Sequence, residues 1–300
     1  MVTKPGTAPS RSRLGNARLR AATVRERLAA RSGRAWIALA VAAFWPSAAR
    51  AQAPSYTAAD FVNASDYAPG PFAPNSVVSL FGSNLSFNTA TGQIPFSTSL
   101  GGAEVWVSST AAPLLYVSPG QINFLIPSNL SAGTLSVQVY RQGTVGPSVA
   151  ITVVNAAPAP FVGAQNFALA EDWNQNYALV NSTNPAHPGD TIVLYLTGLG
   201  HTLPNPDPGT ALSNAAPIAN PAELSLLLNG AAINSTLISY AGLTPNFPGL
   251  YQINFMLPMN TATNPQIAIS MAGQSSPAAV LLAVQPLPPV QLDSLPPRKQ

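Results

Sequence analysis

One phrase occurs twice in this chain, and it limits what the chain can fold into. The first copy is Pro119-Gly120-Gln121-Ile122-Asn123-Phe124-Leu125-Ile126-Pro127, and the second is Pro248-Gly249-Leu250-Tyr251-Gln252-Ile253-Asn254-Phe255-Met256-Leu257-Pro258. Each reads as turn, strand and stop. Pro-Gly sets a turn, the alternating residues suit a pleated strand, and the closing proline lacks the N–H that would continue a ladder. Alternation puts Ile122, Phe124 and Ile126 on one face, with Gln121 and Asn123 on the other. Ile253, Phe255 and Leu257 repeat the first set, and Gln252 and Asn254 the second.

The repeat extends beyond the phrase. Pro188-Gly189-Asp190-Thr191-Ile192-Val193-Leu194-Tyr195 aligns without gaps on Pro74-Asn75-Ser76-Val77-Val78-Ser79-Leu80-Phe81. Ala222-Glu223-Leu224 aligns on Ala103-Glu104-Val105, and Ile238-Ser239-Tyr240 on Leu114-Leu115-Tyr116. The blocks keep one order, the mark of a duplicated structural unit. In the first unit, strands are expected over 60–63, 76–81, 104–107, 114–117, 121–126, 135–140 and 149–154. About seven short strands in about 100 residues is the rhythm of an immunoglobulin-like sandwich. The expected fold is therefore all-β: two tandem immunoglobulin-like β-sandwich modules after a helical signal peptide. The expected boundaries are 1–51 leader, 52–155 module 1, 156–185 linker and hairpin, 186–285 module 2, and 286–300 proline-rich disordered tail.

Charge is divided between leader and remainder. Of 13 Lys and Arg, ten lie in the first fifty residues; only Arg141, Arg298 and Lys299 follow, against nine Asp and Glu, a net charge of −6. A nucleic-acid surface needs clustered cations, so that function class is excluded for the body of the chain. There is no cysteine, which excludes disulfides, thiolate metal sites and a cysteine nucleophile. The leader carries an apolar run, Trp36 to Trp45, preceded by arginines and ended by Pro46. Ala49-Arg50-Ala51 then offers small residues for cleavage between Ala51 and Gln52, the pattern of a secretory signal. Ten apolar residues are too short for a membrane span of about 20, so no span is expected after cleavage. The long n-region points to a translation start nearer the apolar run, at Val24 or Leu28.

Phe61-Val62-Asn63-Ala64-Ser65, Phe72-Ala73-Pro74-Asn75-Ser76-Val77-Val78-Ser79-Leu80-Phe81-Gly82-Ser83-Asn84-Leu85 and Leu114 through Phe124 resemble the Solibacter-type C-terminal domain of secreted acidobacterial proteins. Asn184-Pro185-Ala186, Pro188-Gly189-Asp190 and Tyr195-Leu196-Thr197-Gly198-Leu199-Gly200 extend the resemblance over residues 58–285. The strand-Gly-x-Asn-Leu start is more distantly similar to the immunoglobulin-like IPT/TIG modules of plexins and transcription factors. The resemblance implies export and fold; the family has no established activity.

Candidate chemistry is sparse. His187 and His201, with Asp190 and Asp207, lack the ligand spacing of zinc motifs, and no metal or cofactor is expected. Asp190, after Pro188-Gly189, is expected to bond backbone N–H groups of its own turn. Glu104 and Glu223 occupy aligned positions in separate modules, whereas paired glycosidase carboxylates flank one sugar at about 5–9.5 Å. Gly198-Leu199-Gly200 lacks the third glycine and the helix of a dinucleotide loop. No catalytic residue is assigned. Trp106 is expected in the core, and Trp173 at a hairpin tip is the better exposed aromatic, with Tyr177 beside it. Ligand-contact candidates are Trp173, Gln121, Asn123, Gln252 and Asn254. The sequence thus predicts an exported protein, secreted, cell-surface or periplasmic, that is non-enzymatic and acts as a structural or adhesion module. Its partner is a cell-surface protein or polysaccharide. A carbohydrate-binding module is the alternative, and a hydrolase with a non-standard site a third reading.

Overall fold

The computed structural model describes residues 52–286. The expected helical signal peptide, with Ala51 and the start sites at Val24 and Leu28, lies outside the described residues, as does the tail beyond Pro286.

In module 1 the alternating segments form β1 (Phe61–Asn63), β2 (Val77–Phe81), β3 (Ala103–Val107), β4 (Leu114–Ser118), β5 (Gln121–Leu125), β6 (Gly133–Arg141) and β7 (Val149–Val153). One sheet runs β1-β2-β5-β4; the other is built on β7-β6-β3, and these ladders are antiparallel. Val78, Leu80, Ile122 and Phe124 face Val105, Val107, Val137 and Val139 between the layers, all fully buried. Module 2 repeats the plan with β8 (Ala170–Asp172), β9 (Ala178–Leu179), β10 (Thr191–Thr197), β11 (Leu224–Leu228), β12 (Ile238–Leu243), β13 (Tyr251–Met256) and β14 (Ile267–Met271). Its first sheet runs β9-β8-β10-β13-β12, and its second is built on β11-β14. Ile192, Leu194, Ile253 and Phe255 pack there against Leu226, Ile267 and Ile269. The expected all-β class holds as two sandwiches, each with its own core.

The duplication reaches individual hydrogen bonds. Asn123 pairs with Ser79 and Asn254 with Val193, in the same register. β4 carries a bulge between Leu114 and Tyr116, and β12 one between Ile238 and Tyr240. The turn into β2 closes with the Ala73 N–H donating to Ser76 Oγ at 2.9 Å; the turn into β10 closes with the His187 N–H donating to Asp190 Oδ2 at 2.6 Å. Asp190 thus does what its place after Pro-Gly predicts.

Two parts of the sequence alignment need correction. Val107 and Leu228 both lead into the next tight turn, pairing with Thr110 and Ala231, so Leu226 matches Val105. Glu223 falls in a 3-10 turn, Pro221–Glu223, before β11, while Glu104 lies within β3. The proline at the start of that turn breaks the strand that the alignment assumed.

The second correction concerns residues 156–160, expected to be a linker. Ala159 pairs with Thr197 in β10 as Ser55 pairs with Ser83 beyond β2. The stretch is therefore the opening edge of module 2, equivalent to residues 52–56 of module 1. Prolines suit an edge because they need no ladder donor. Gly198 and Gly200 make the space: a Cβ would meet Ala157 O at 2.0 Å and Asn155 O at 2.1 Å. Beyond it, β8 joins the same sheet through β10 and forms the expected hairpin with β9.

The modules meet at the second copy of the repeated phrase. Gly249, at φ +80°, lies against Asn75, Val77 and Leu125 of module 1; a Cβ there would come within 2.3 Å of Leu125 Cδ2. The buried Thr197 hydroxyl accepts from the Val77 N–H and donates to Gly249 O, both at 3.1 Å. Tyr251, inserted relative to the first copy, is wholly buried and donates to Gly200 O. The loop after β10 adds Ser128 Oγ–H donating to Pro206 O at 2.6 Å and the Phe96 N–H donating to Gly209 O at 2.9 Å. Both modules belong to one compact unit.

Candidate functional site

Side chains at paired positions of neighbouring strands share a sheet face. Register therefore places Leu179, Glu171, Val193 and Asn254 in one row across the outer face of the β9-β8-β10-β13 sheet, with Tyr195 and Gln252 in the next. The Tyr195 hydroxyl donates to Glu171 Oε2 at 2.9 Å. Burial, followed by this carboxylate, pushes the Tyr195 pKa up to about 12, and Tyr177 is near enough to add to the rise. Tyr195 therefore stays a neutral phenol with its proton committed to Glu171.

The β8–β9 tip supplies the apolar part. Asp172 caps the 3-10 turn Trp173–Gln175, accepting from the Asn174 N–H at 2.8 Å and from Gln175 Nε2 at 2.7 Å. Asn176 and Tyr177 take positive φ, and Tyr177 is thereby turned back on Trp173, with ring centroids 5.3 Å apart and planes at 46°. Trp173 is 54% exposed and Tyr177 48%. The turn is pinned to β10 by the Thr191 N–H donating to Asn174 Oδ1 at 2.8 Å. The result is an exposed aromatic pair at the tip of the hairpin whose strand β8 belongs to a sheet with a carboxylate, a phenol and two amides on its outer face.

Gln252 and Asn254 lie on this face. Gln252 Nε2 donates to Asn254 Oδ1 at 2.9 Å, and Gln121 Nε2 donates to Asn123 Oδ1 at 2.8 Å in module 1. Asn123 also accepts from Ser79 Oγ–H at 3.0 Å. Each amide pair is first a local clamp along its strand. Trp173 shares a module only with the second pair; Gln121 and Asn123 lie on module 1, where Phe81 and Val62 occupy the places of Tyr195 and Glu171.

Trp106 is not in the core. It is half-buried on the outer face of β3, its Nε1–H donating to Glu104 Oε2 at 3.1 Å and its ring edge-on to Tyr140. Strict alternation explains this, because Val105 and Val107 take the inward places. His187 Nδ1 is 3.5 Å from Asp190 Oδ2, while the exposed His201 lines a separate hollow with Glu223. Among the described residues, no three His, Cys, Asp or Glu side chains group as a metal site. A cavity of about 360 Å³ elsewhere on module 2 is lined by Leu228, Ile233, Asn234, Leu237, Pro258 and neighbours without an ionisable side chain.

Glu171 and Tyr195 were missed as site residues from sequence. The signal lay in the repeat alignment, where a phenol replaces the phenyl of Phe81.

Residues 65–153 match the IPT/TIG domain, so module 1 is an immunoglobulin-like IPT/TIG domain. No curated protein matches the chain. Among solved structures, the chain is similar to the Bacteroides ovatus mixed-linkage glucan utilization locus protein SGBP-B in complex with a mixed-linkage heptasaccharide (13% identity, 72% of this chain, TM-score 0.31). It is also similar to SGBP-B from a complex xyloglucan utilization locus in Bacteroides uniformis (11%, 77%, TM-score 0.24). A third is the full extracellular region of plexin A4 (10%, 82%, TM-score 0.27). The chain spans 43%, 50% and 17% of the length of those chains, respectively.

Proposed function

We propose that this is an exported, non-catalytic binding protein, and that its ligand is a neutral saccharide lying on the outer face of module 2. One observation carries the reading: Trp173 and Tyr177 stand exposed at the tip of the β8–β9 hairpin, and β8 brings Glu171 onto the sheet face that holds Tyr195, Gln252 and Asn254. A sugar ring has an apolar C–H side and a rim of hydroxyls. Aromatic faces take the first, and fixed polar side chains take the second. The face holds a carboxylate and no cation, which favours neutral over acidic polymers.

The leader pattern supports export, to the cell surface, the periplasm or the surrounding medium. Among the described residues no helix is long and apolar enough to cross a membrane. The quoted motifs support membership of the Solibacter-type family. The two units run over 52–155 and 156–285, the second including the hairpin that carries the aromatic pair. A binding rather than a catalytic role is supported by the commitment of three carboxylates to their own fold: Glu171 to Tyr195, Glu104 to Trp106, and Asp190 to its turn.

The test is titration of the purified mature protein against a panel of neutral and acidic polysaccharides. Binding of a neutral glycan, weakened tenfold or more in Trp173→Ala with an unchanged melt, is the expected result; a tenfold loss corresponds to about 1.4 kcal/mol. Turnover of any glycan by the same preparation would overturn the non-catalytic reading. A second reading, a structural or adhesion module, is favoured by the hydrogen-bonded joint at Thr197 and Gly249. It gains if no glycan binds while a surface protein does.

A further inference from the structure

Arg141 is the sole Lys or Arg among the described residues. It is 5% exposed, its guanidinium stacks 4.4 Å above the Phe87 ring, and its Nε has no hydrogen-bond partner among the described residues. Its Nη2 donates to the backbone oxygen of Gln52. A buried guanidinium without a carboxylate is costly, so the backbone contact it makes is informative. Four residues on, Tyr56 is buried as well: its hydroxyl accepts from the Val139 N–H and donates to Pro147 O, both at 2.7 Å. Residues 52–56 are thus buttoned onto β6, and Gln52 itself remains exposed.

We propose that the mature chain begins at Gln52 and that this residue closes to pyroglutamate, with Arg141 as the positioning residue. This rests on the export reading above. Hydrolysis of the Ala51–Gln52 bond would place a new α-amine within a few ångströms of the guanidinium. A second cation there is disfavoured, so the amine is biased towards its neutral, nucleophilic form. The amine nitrogen attacks the side-chain carbon Cδ of Gln52; the new N–Cδ bond forms, the Cδ–Nε2 bond breaks, and the amine proton leaves with Nε2 as ammonia. No oxidant or cofactor is needed. The carbonyl oxygen held by Arg141 is not consumed, so the clamp survives the reaction. The neutral lactam removes the like-charge conflict and leaves no free amine at the edge of module 1.

Expression of the full chain in an exporting host, followed by mass spectrometry of the N-terminal peptide, tests this directly. The expected peptide starts at position 52 and is lighter by one ammonia than unmodified Gln52. An unmodified Gln52 amine would leave the cleavage site standing and overturn cyclisation. A mature end at another residue would overturn the cleavage site, and the proposal with it. A kinetic arm isolates Arg141. Protein freed at Gln52 by a site-specific protease should lose ammonia several-fold faster than a peptide of residues 52–61, and Arg141→Met, if it folds by circular dichroism, should fall to the peptide rate. Equal rates for the parent protein and the peptide would remove Arg141 from the mechanism without needing the variant.

Discussion

The two copies of the repeated phrase have the same strand and opposite surroundings. In module 1 the turn residue Gly120 is exposed, and a Cβ there would meet nothing nearer than Gly82 O at 3.8 Å. In module 2 the matching turn is driven into module 1, with Gly249 against Leu125 and Val77. The relation inverts at the other end of the strand: Leu125 is covered by the joint at 1% exposure, while Met256, its counterpart, is 44% exposed. One sequence motif therefore serves as a free tip, a plug and a socket, depending on which module carries it. What is shared, Ile122, Phe124 and Ile126 with Ile253, Phe255 and Leu257, is the part that faces each module's own core.

The largest break in this symmetry is expected at the socket. Leu125→Ala should cost about 2–5 kcal/mol, as buried leucines do, and Met256→Ala less than about 0.5 kcal/mol, as open surface positions do. Chemical denaturation of the two variants measures this. Equal costs would mean that the joint contributes nothing to stability. The plug comes next. Gly249→Ala places a Cβ at positive φ and against Leu125, with an expected cost of about 1–3 kcal/mol. Gly120→Ala has neither problem, and its melt should be unchanged.

The cores are legible in the sequence; the contacts between strands far apart in the chain are not. Period-two alternation depends on near neighbours, so the buried faces of β5 and β13 were legible, as was the sandwich. The joint was not, because Thr197, Gly249 and Leu125 come together only through tertiary packing. The stretch 156–160 read as a linker because Ala and Pro carry no strand signal of their own; its pairing is imposed by the glycines at 198 and 200. A strand position suggests a core place for Trp106, but its alternation with Val105 and Val107 puts it outside. Of the candidate site, Trp173 and the amides were legible singly. Their meeting with Glu171 and Tyr195 needed the register of β8 on β10.

The amide clamps offer a finer comparison. Asn123→Ala removes the acceptor for both Gln121 and the buried Ser79 hydroxyl and should cost about 1–3 kcal/mol. Asn254→Ala frees only Gln252 and should cost about 0.5–1.5 kcal/mol. Equilibrium unfolding measures both. Saccharide binding should respond only to Asn254, since Asn123 lies on the module without the aromatic tip. Loss of binding in Asn123→Ala would move the site.

The smallest expected effect is the one whose sign says most about how the modules diverged. The fully buried Asp172 stands where module 1 has the buried Asn63, and Asp190 stands where module 1 has Ser76. Both end their first strand by capping a turn through Oδ1. Burial first, and then the neighbouring Asp190 carboxylate, hold the Asp172 pKa above the ordinary aspartate value, while Gln175 pulls the other way. A carboxyl raised in the folded state binds its proton more tightly there than in the unfolded chain. Its contribution to stability is therefore complete below the ordinary aspartate range and is lost as pH rises through the raised value. Asp172→Asn keeps the acceptor and removes the titration. The difference in unfolding free energy between this variant and the parent should grow in the variant's favour across that acidic window and be flat above it. Asn63→Asp should install a slope of the same sign in module 1, where the half-buried Asp66 lines the same hollow. A parent protein that gains stability relative to Asp172→Asn as pH rises through the window would reverse the sign, and would mean that the hydrogen bonds from Asn174 and Gln175 outweigh burial.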